Sequence, residues 1–224
     1  MYTYTGPSWA ASSYPVEDEN ATNLAKLWNM PHVDQSVPGV HAIYNLKRLY
    51  EQKEKGPVVW IYNEPLGVLK RATNMEDKEF LIRNDWKEIW QECNQFCLNS
   101  IARLGRPVLL FGAHSDIVDC DHANIVVGHK SWQRFLAEQA GTVTKKIKVP
   151  TVCWGAEVIH REMHKSPDIE PNKSLVDSIW NVFSFWKQLE EQDLFNHVHP
   201  NLRGNKLFAE YAKPMVEKFL EDVK

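Results

Sequence analysis

The chain alternates short apolar runs, each ended by Gly, Ser, Asn or Pro, with longer stretches of helical period. That alternation is the pattern of an α/β fold built on a parallel sheet. The strand candidates are Tyr2–Thr5, a weaker one around His32–Val37, Pro57–Tyr62 (PVVWIY), Pro107–Gly112 (PVLLFG) and Ile147–Trp154 (IKVPTVCW). Helix candidates between them cover about Glu19–Asn29, Gly39–Lys53, Lys78–Leu104 and Ser131–Ala140, and Leu175–Gln192 and Gly204–Val223 follow the last strand. With 224 residues and no internal repeat or Pro/Gly-rich linker, one domain over residues 1–224 is expected.

Two helices show their buried faces in the sequence. In WKEIWQECNQFCLNSIARLG, Trp86, Ile89, Trp90, Cys93, Phe96, Cys97, Ile101 and Leu104 recur at spacings of three and four, so this face should pack on the sheet. The final helix repeats the spacing with Leu207, Phe208, Tyr211, Met215, Phe219 and Leu220. Two connections are long beside the usual 2–6 residues or so, Pro65–Lys78 and Ala113–His129, and oversized loops in compact domains are often functional.

Composition excludes some classes of function. A net charge of -3 supplies no basic field for nucleic acid, and no apolar run is long enough to span a membrane. The start, MYTYTGPSWA, lacks the basic and apolar regions of a signal peptide, so a cytoplasmic protein is expected. The cysteines, Cys93, Cys97, Cys120 and Cys153, follow no zinc-ribbon spacing and read as reduced thiols. Nine Trp is a high count, and while most belong to a core, some suit a cleft for a sugar or aromatic ligand.

In a doubly wound sheet, ligands sit at the carboxyl ends of the strands. GPSWA follows the first strand, and its Ser8 can cap a helix or serve as a nucleophile. SVPGVHA follows the second, with Gly39 opening a helix, and IYNEPLG follows the third, with Asn63 and Glu64 at the strand end. After the fourth, GAHSDIVDCDHANIVVGH gathers His114, Asp116, Asp119, Asp121, His122 and His129 at spacings that match no standard metal site. No metal is therefore assigned, and the loop reads as solvated or facing a substrate. His199, in FNHVHPNLRG, stands just before the last helix. A serine needs such a base, and a tetrahedral oxyanion needs fixed donors, for which Gly39 N–H and the Asn63 amide are placed.

The order serine, glycine, asparagine, histidine at these strand ends resembles the SGNH (GDSL-type) hydrolase family. Its most specific part is HPNLRGNKLFAEYAKP, similar to the family's HPN..G....A segment, and the likeness runs from Gly6 to Pro214. The resemblance implies a three-layer α/β/α, flavodoxin-like fold with a central five-stranded parallel sheet. It implies Ser8 as nucleophile, His199 as general base, and an oxyanion hole from Ser8 N–H, Gly39 N–H and Asn63. Trp9, Glu64, His114 and Asp116 flank these positions and are the candidates for contacting substrate. The implied reaction is hydrolysis of a small ester, such as an O-acetyl group on a small molecule or carbohydrate, through an acyl-enzyme and without a cofactor. An SGNH-fold ligand-binding protein and a related O-acyltransferase are the alternatives.

Three residues differ from the family's usual ones. Pro7 stands where it has Asp, Ile61 where it has Gly, and Asn196 where it has the acid three residues before the histidine. Asn196 is accordingly the catalytic-site candidate in the acid's place, its carbonyl able to accept from His199 Nδ1 without supplying a charge. A backbone carbonyl, Asp193 or Asp116 are the other candidates for orienting His199. His197 is expected to point away from the site, since alternate residues of an extended segment face opposite ways.

Overall fold

A computed structural model of the protein describes residues 1–38, 40, 42–53, 55–63, 86–141, 184–197 and 199–224. The strands of its main sheet are β1 (Tyr2–Thr5), β2 (His32–Asp34), β3 (Val58–Tyr62), β4 (Val108–Gly112) and β5 (Ile125–His129). A short hairpin, β6 (Phe195–Asn196) and β7 (His199–Pro200), lies apart from it. The helices are α1 (Ser8–Ala11), α2 (Leu24–Trp28), α3 (Ala42–Glu51), α4 (Trp86–Ala102), α5 (Trp132–Gln139) and α6 (Leu202–Asp222), and residues 184–191 are also helical.

The five strands run parallel in the order β2-β1-β3-β4-β5. Every residue of β1, β3 and β4 is buried; β3 and β4 accordingly read as unbroken apolar runs, whereas β1 alternates Tyr with buried Thr. Their side chains still alternate between two cores. Tyr2, Tyr4, Val59, Ile61, Leu109 and Phe111 face α2, α5 and α6, with Trp28, Trp132, Phe135 and Phe208 packed against them. Val58, Trp60, Tyr62, Val108 and Leu110 face the opposite way, onto Leu46 and Leu49 of α3 and Cys97, Leu98 and Ile101 of α4. The result is a three-layer α/β/α fold.

The structure corrects the sequence reading in several places. β5 lies within the stretch expected to be a loop, 113–129. Only Ile125 of its apolar residues is buried, while Val126 and Val127 are 50% and 36% exposed, so this outer strand carries no clear burial pattern. The strand candidate Ile147–Trp154 lies outside the described residues, as does much of the candidate helix Leu175–Gln192. The second helix is shorter than expected because Asn23 caps it, accepting from Lys26 N–H at 2.9 Å. On α4, Phe96 is 63% exposed and Asn94 takes a buried place instead. Asn94 is satisfied there, accepting from Tyr62 Oη at 2.9 Å and donating to the Trp90 carbonyl at 2.9 Å. A polar residue that finds both partners can displace an apolar one from the inward face.

Candidate active site

β1 lies between β2 and β3, so the crossovers reverse there, and this switch point is where open α/β sheets bind ligands. The chain leaves β1 through Gly6, which passes close over β3. A Cβ on Gly6 would fall 2.7 Å from the Ile61 carbonyl oxygen, so only glycine fits. Pro7 occupies the cap position of α1 without a capping side-chain bond, and Ser8 is the first helical residue. The Ser8 hydroxyl is therefore not a helix cap. It points across the switch point, with Oγ 2.8 Å from Nε2 of His199, 191 positions away in the chain.

His199 owes its place to the hairpin and to α6. β6 and β7 pair antiparallel with Phe195 opposite Pro200 and Asn196 opposite His199. Asn201 donates its backbone N–H to the Leu194 carbonyl at 3.1 Å. Its side chain caps α6 by accepting from Gly204 N–H at 3.0 Å, and a Cβ on Gly204 would collide with the Leu194 carbonyl. The Asn and Gly of HPNLRG thus lock the helix start against the hairpin, which fixes the backbone of the histidine that precedes them.

The side chains considered for orienting His199 are placed otherwise than the sequence suggested. The Asn196 side chain sits across the hairpin from His199 but makes no hydrogen bond among the described residues. Asp193 is exposed, accepting from Asn201 Nδ2 at 3.1 Å and lying 3.5 Å from Arg203 Nη1. Asp116 accepts from Ser131 Oγ at 2.7 Å and from Arg134 Nε at 3.0 Å, and Arg134 Nη2 completes the ion pair. Both carboxylates are thus tied to other partners.

Tyr14 lies against the histidine instead, its ring stacked on that of His199 with centroids 5.1 Å apart and planes inclined by 18°. His197, expected to point away, adopts a left-handed turn conformation (φ 56°) and sets its ring edge-on to Tyr14 at 6.2 Å. Sequence reasoning missed Tyr14, and only its proximity to Ser8 in the chain could have drawn notice.

Asn63 follows β3 directly and is buried. Its Nδ2 donates to the Val40 carbonyl at 2.6 Å, while Oδ1 is buried without a hydrogen-bond partner among the described residues. The loop after β2 is drawn to the same corner by Gln35 N–H to the Tyr4 carbonyl (2.8 Å) and Val37 N–H to the Gly6 carbonyl (3.1 Å). Gly39 and Glu64 lie outside the described residues.

Trp9 and His114, the remaining substrate-contact candidates among the described residues, are both buried. Trp9 is fully buried behind Ser8, edge-on to Trp132 and Phe195 at 5.7 and 5.2 Å. His114 is 3% exposed, its ring centroid 4.1 Å from that of Trp9. Burial, and to a smaller degree the neighbouring His199, pushes the His114 imidazole down to about 3, so it is neutral at physiological pH. The rest of the His/Asp cluster is dispersed, with His122 Nε2 3.0 Å from Asn99 Oδ1 and His129 Nδ1 2.8 Å from the Ser131 carbonyl. Among the described residues, no three His, Cys, Asp or Glu side chains are grouped to hold a metal ion.

Among the described residues no disulfide joins Cys93, Cys97 and Cys120, and Cys153 lies outside them. Burial pushes Cys97 up to about 11, which leaves it protonated and unreactive at neutral pH. Among the described residues no helix is long and apolar enough to cross a membrane. On the outer side of Tyr14 is a polar cleft of about 480 Å³, also lined by Asp18, Asn201, Arg203, Lys206 and Glu210.

No known family profile matches the chain, and no curated protein does. A solved structure similar to it is that of the YxiM protein of Bacillus subtilis, at 13% identity and a TM-score of 0.44. The match covers 97% of this chain and 56% of that one, so the chain spans little more than half the length of YxiM.

Proposed function

We propose that this protein is a serine esterase of SGNH type that removes a small acyl group, such as acetyl, from an oxygen of a polar alcohol. The observation that carries the reading is the 2.8 Å approach of Ser8 Oγ to His199 Nε2 at the switch point of a parallel sheet. A serine with a base in hydrogen-bond reach is the arrangement that nucleophilic acyl transfer needs.

In this reading, Ser8 Oγ attacks the ester carbonyl as His199 Nε2 takes its proton. The carbonyl oxygen becomes an oxyanion, held by the Ser8 backbone N–H and the Asn63 Nδ2 hydrogen that Val40 does not engage; the resemblance adds Gly39 N–H as a third donor. His199 then protonates the alkoxide as it leaves, giving the free alcohol and an acyl-serine. Water attacks that ester, passes a proton to His199, and the acid departs as Ser8 recovers its hydrogen. The polar cleft that shares the Tyr14 wall suits a hydroxyl-rich leaving group such as a sugar.

The test is hydrolysis of p-nitrophenyl acetate, together with labelling by a fluorophosphonate, which forms a stable bond to an activated serine. Ser8→Ala and His199→Ala are expected to lower kcat by about 10³-fold or more, and Ser8→Ala to abolish labelling. A wild-type protein that neither labels nor exceeds the variants would refute the enzymatic reading.

A further inference from the structure

We propose that Tyr14 is a positioning residue of His199, its ring holding the imidazole plane and stabilising the imidazolium formed as Ser8 loses its proton; this rests on the esterase reading above. The two rings lie 5.1 Å apart at 18°, and a cation over a Tyr face within about 6 Å of its centroid is attracted by the ring's negative face. The hairpin fixes the backbone of His199 and the Ser8 hydroxyl meets Nε2, while the stacked tyrosine bears on the plane of the imidazole.

Tyr14 is itself firmly placed. Its N–H donates to the carbonyl of Pro200, the residue after the histidine, at 3.1 Å. The preceding Ser13 is buried and bonded both ways to Thr22, by Ser13 N–H to the Thr22 carbonyl at 2.7 Å and Thr22 N–H to Ser13 Oγ at 3.1 Å. Asn205 of α6 donates Nδ2 to the same Thr22 carbonyl at 3.1 Å. The segment carrying Tyr14 is therefore tied to the β7–α6 unit that carries His199, and the two rings keep a common frame. Among the described residues, the titratable groups nearby are His114 against Trp9, His197 on the edge of Tyr14, and Asp18, Asp193, Arg203, Lys206 and Glu210 around the cleft that Tyr14 lines.

The experiment compares Tyr14→Leu and Tyr14→Phe with wild type and Ser8→Ala in full-length protein, with Tyr14→Met replacing the leucine variant should it not fold. Loss of the aromatic face is expected to lower kcat on p-nitrophenyl acetate by about 2- to 10-fold with KM nearly unchanged. It also disfavours the imidazolium, so the acidic limb of the kcat/KM profile should move to lower pH. Tyr14→Phe keeps the face and should restore both. In NMR spectra, the His199 ring protons should show an upfield ring-current displacement in wild type and Tyr14→Phe that Tyr14→Leu removes. A leucine variant with wild-type kcat, pH profile and His199 resonances, while Ser8→Ala is inactive, overturns the role of Tyr14 and leaves the esterase reading standing. Full turnover by Ser8→Ala overturns the esterase reading and this inference with it.

Discussion

Two buried polar side chains at opposite ends of the sheet, Arg106 and Asn63, are satisfied to different degrees. At the amino end, Arg106 is 2% exposed, and its donors reach the Gly56 carbonyl through Nε at 2.7 Å, Gln52 Oε1 through Nη1 at 3.0 Å and Thr3 Oγ1 through Nη2 at 3.1 Å. It ties together the entrances of β1, β3 and β4, and its burial lowers its pKa from the usual value. At the carboxyl end, Asn63 is also buried, but its Oδ1 has no hydrogen bond among the described residues. Satisfied buried networks stabilise a fold, whereas an orphaned polar atom costs stability and persists where something other than stability holds it in place. In the esterase reading proposed above, the contrast separates an anchoring amino end from a carboxyl end given to catalysis.

The strongest way to break this comparison is Asn63→Ala. If Asn63 donates to the oxyanion, kcat on p-nitrophenyl acetate should fall by about 10²- to 10³-fold. Thermal stability should change by no more than about 1 kcal/mol, because the lost bond to Val40 is offset by removal of the orphaned oxygen. A large loss of stability with activity retained would reverse the assignment. Arg106→Met is the mirror experiment. It leaves several buried acceptors unmatched and should cost about 2–4 kcal/mol in denaturant unfolding, while kcat per folded molecule stays near wild type.

A third test uses pH. The His114 pKa is about 3 in the fold, below the ordinary value of 6.5, so the unfolded chain binds the proton more readily. The stabilisation from keeping it neutral is complete above about pH 6.5 and is lost as pH falls toward 3, at up to about 1.4 kcal/mol per pH unit. His114→Gln should flatten the stability curve in that window, and an unchanged acid slope would count against a buried neutral imidazole behind the site. The smallest expected effect is that of Asn196→Asp. With no side-chain bond to His199, the new carboxylate would act through its field alone and raise kcat by less than about tenfold. A larger rise would mean that it bonds the ring directly.

How far the sequence could be read depended on the kind of interaction involved. Burial on both faces favours an apolar run, so β3 and β4 were legible, as were β1 from its alternating Tyr and β-branched Thr and α6 from its spacing. β5 was not, because an outer strand with exposed Val126 and Val127 lacks the pattern that burial imposes. Phe96 and Asn94 exchanged their expected places on α4 because a hydrogen bond to Tyr62, on another element, made the polar residue the better fit.

At the candidate site, Ser8 and His199 were legible because each stands next to turn chemistry with local causes: a glycine that must pass over a neighbouring strand, and an asparagine that caps a helix. The partners of polar side chains were not. Asp116 and Asp193 were open candidates for His199 until the arrangement of loops gave them to Arg134, Ser131, Asn201 and Arg203. By itself the sequence determined where the chain must bury apolar surface and where it can turn, since those are short-range consequences of residue type. Only the tertiary structure decided that a tyrosine ring lies against the histidine, because that contact joins two loops distant in sequence that packing on the same sheet brings together.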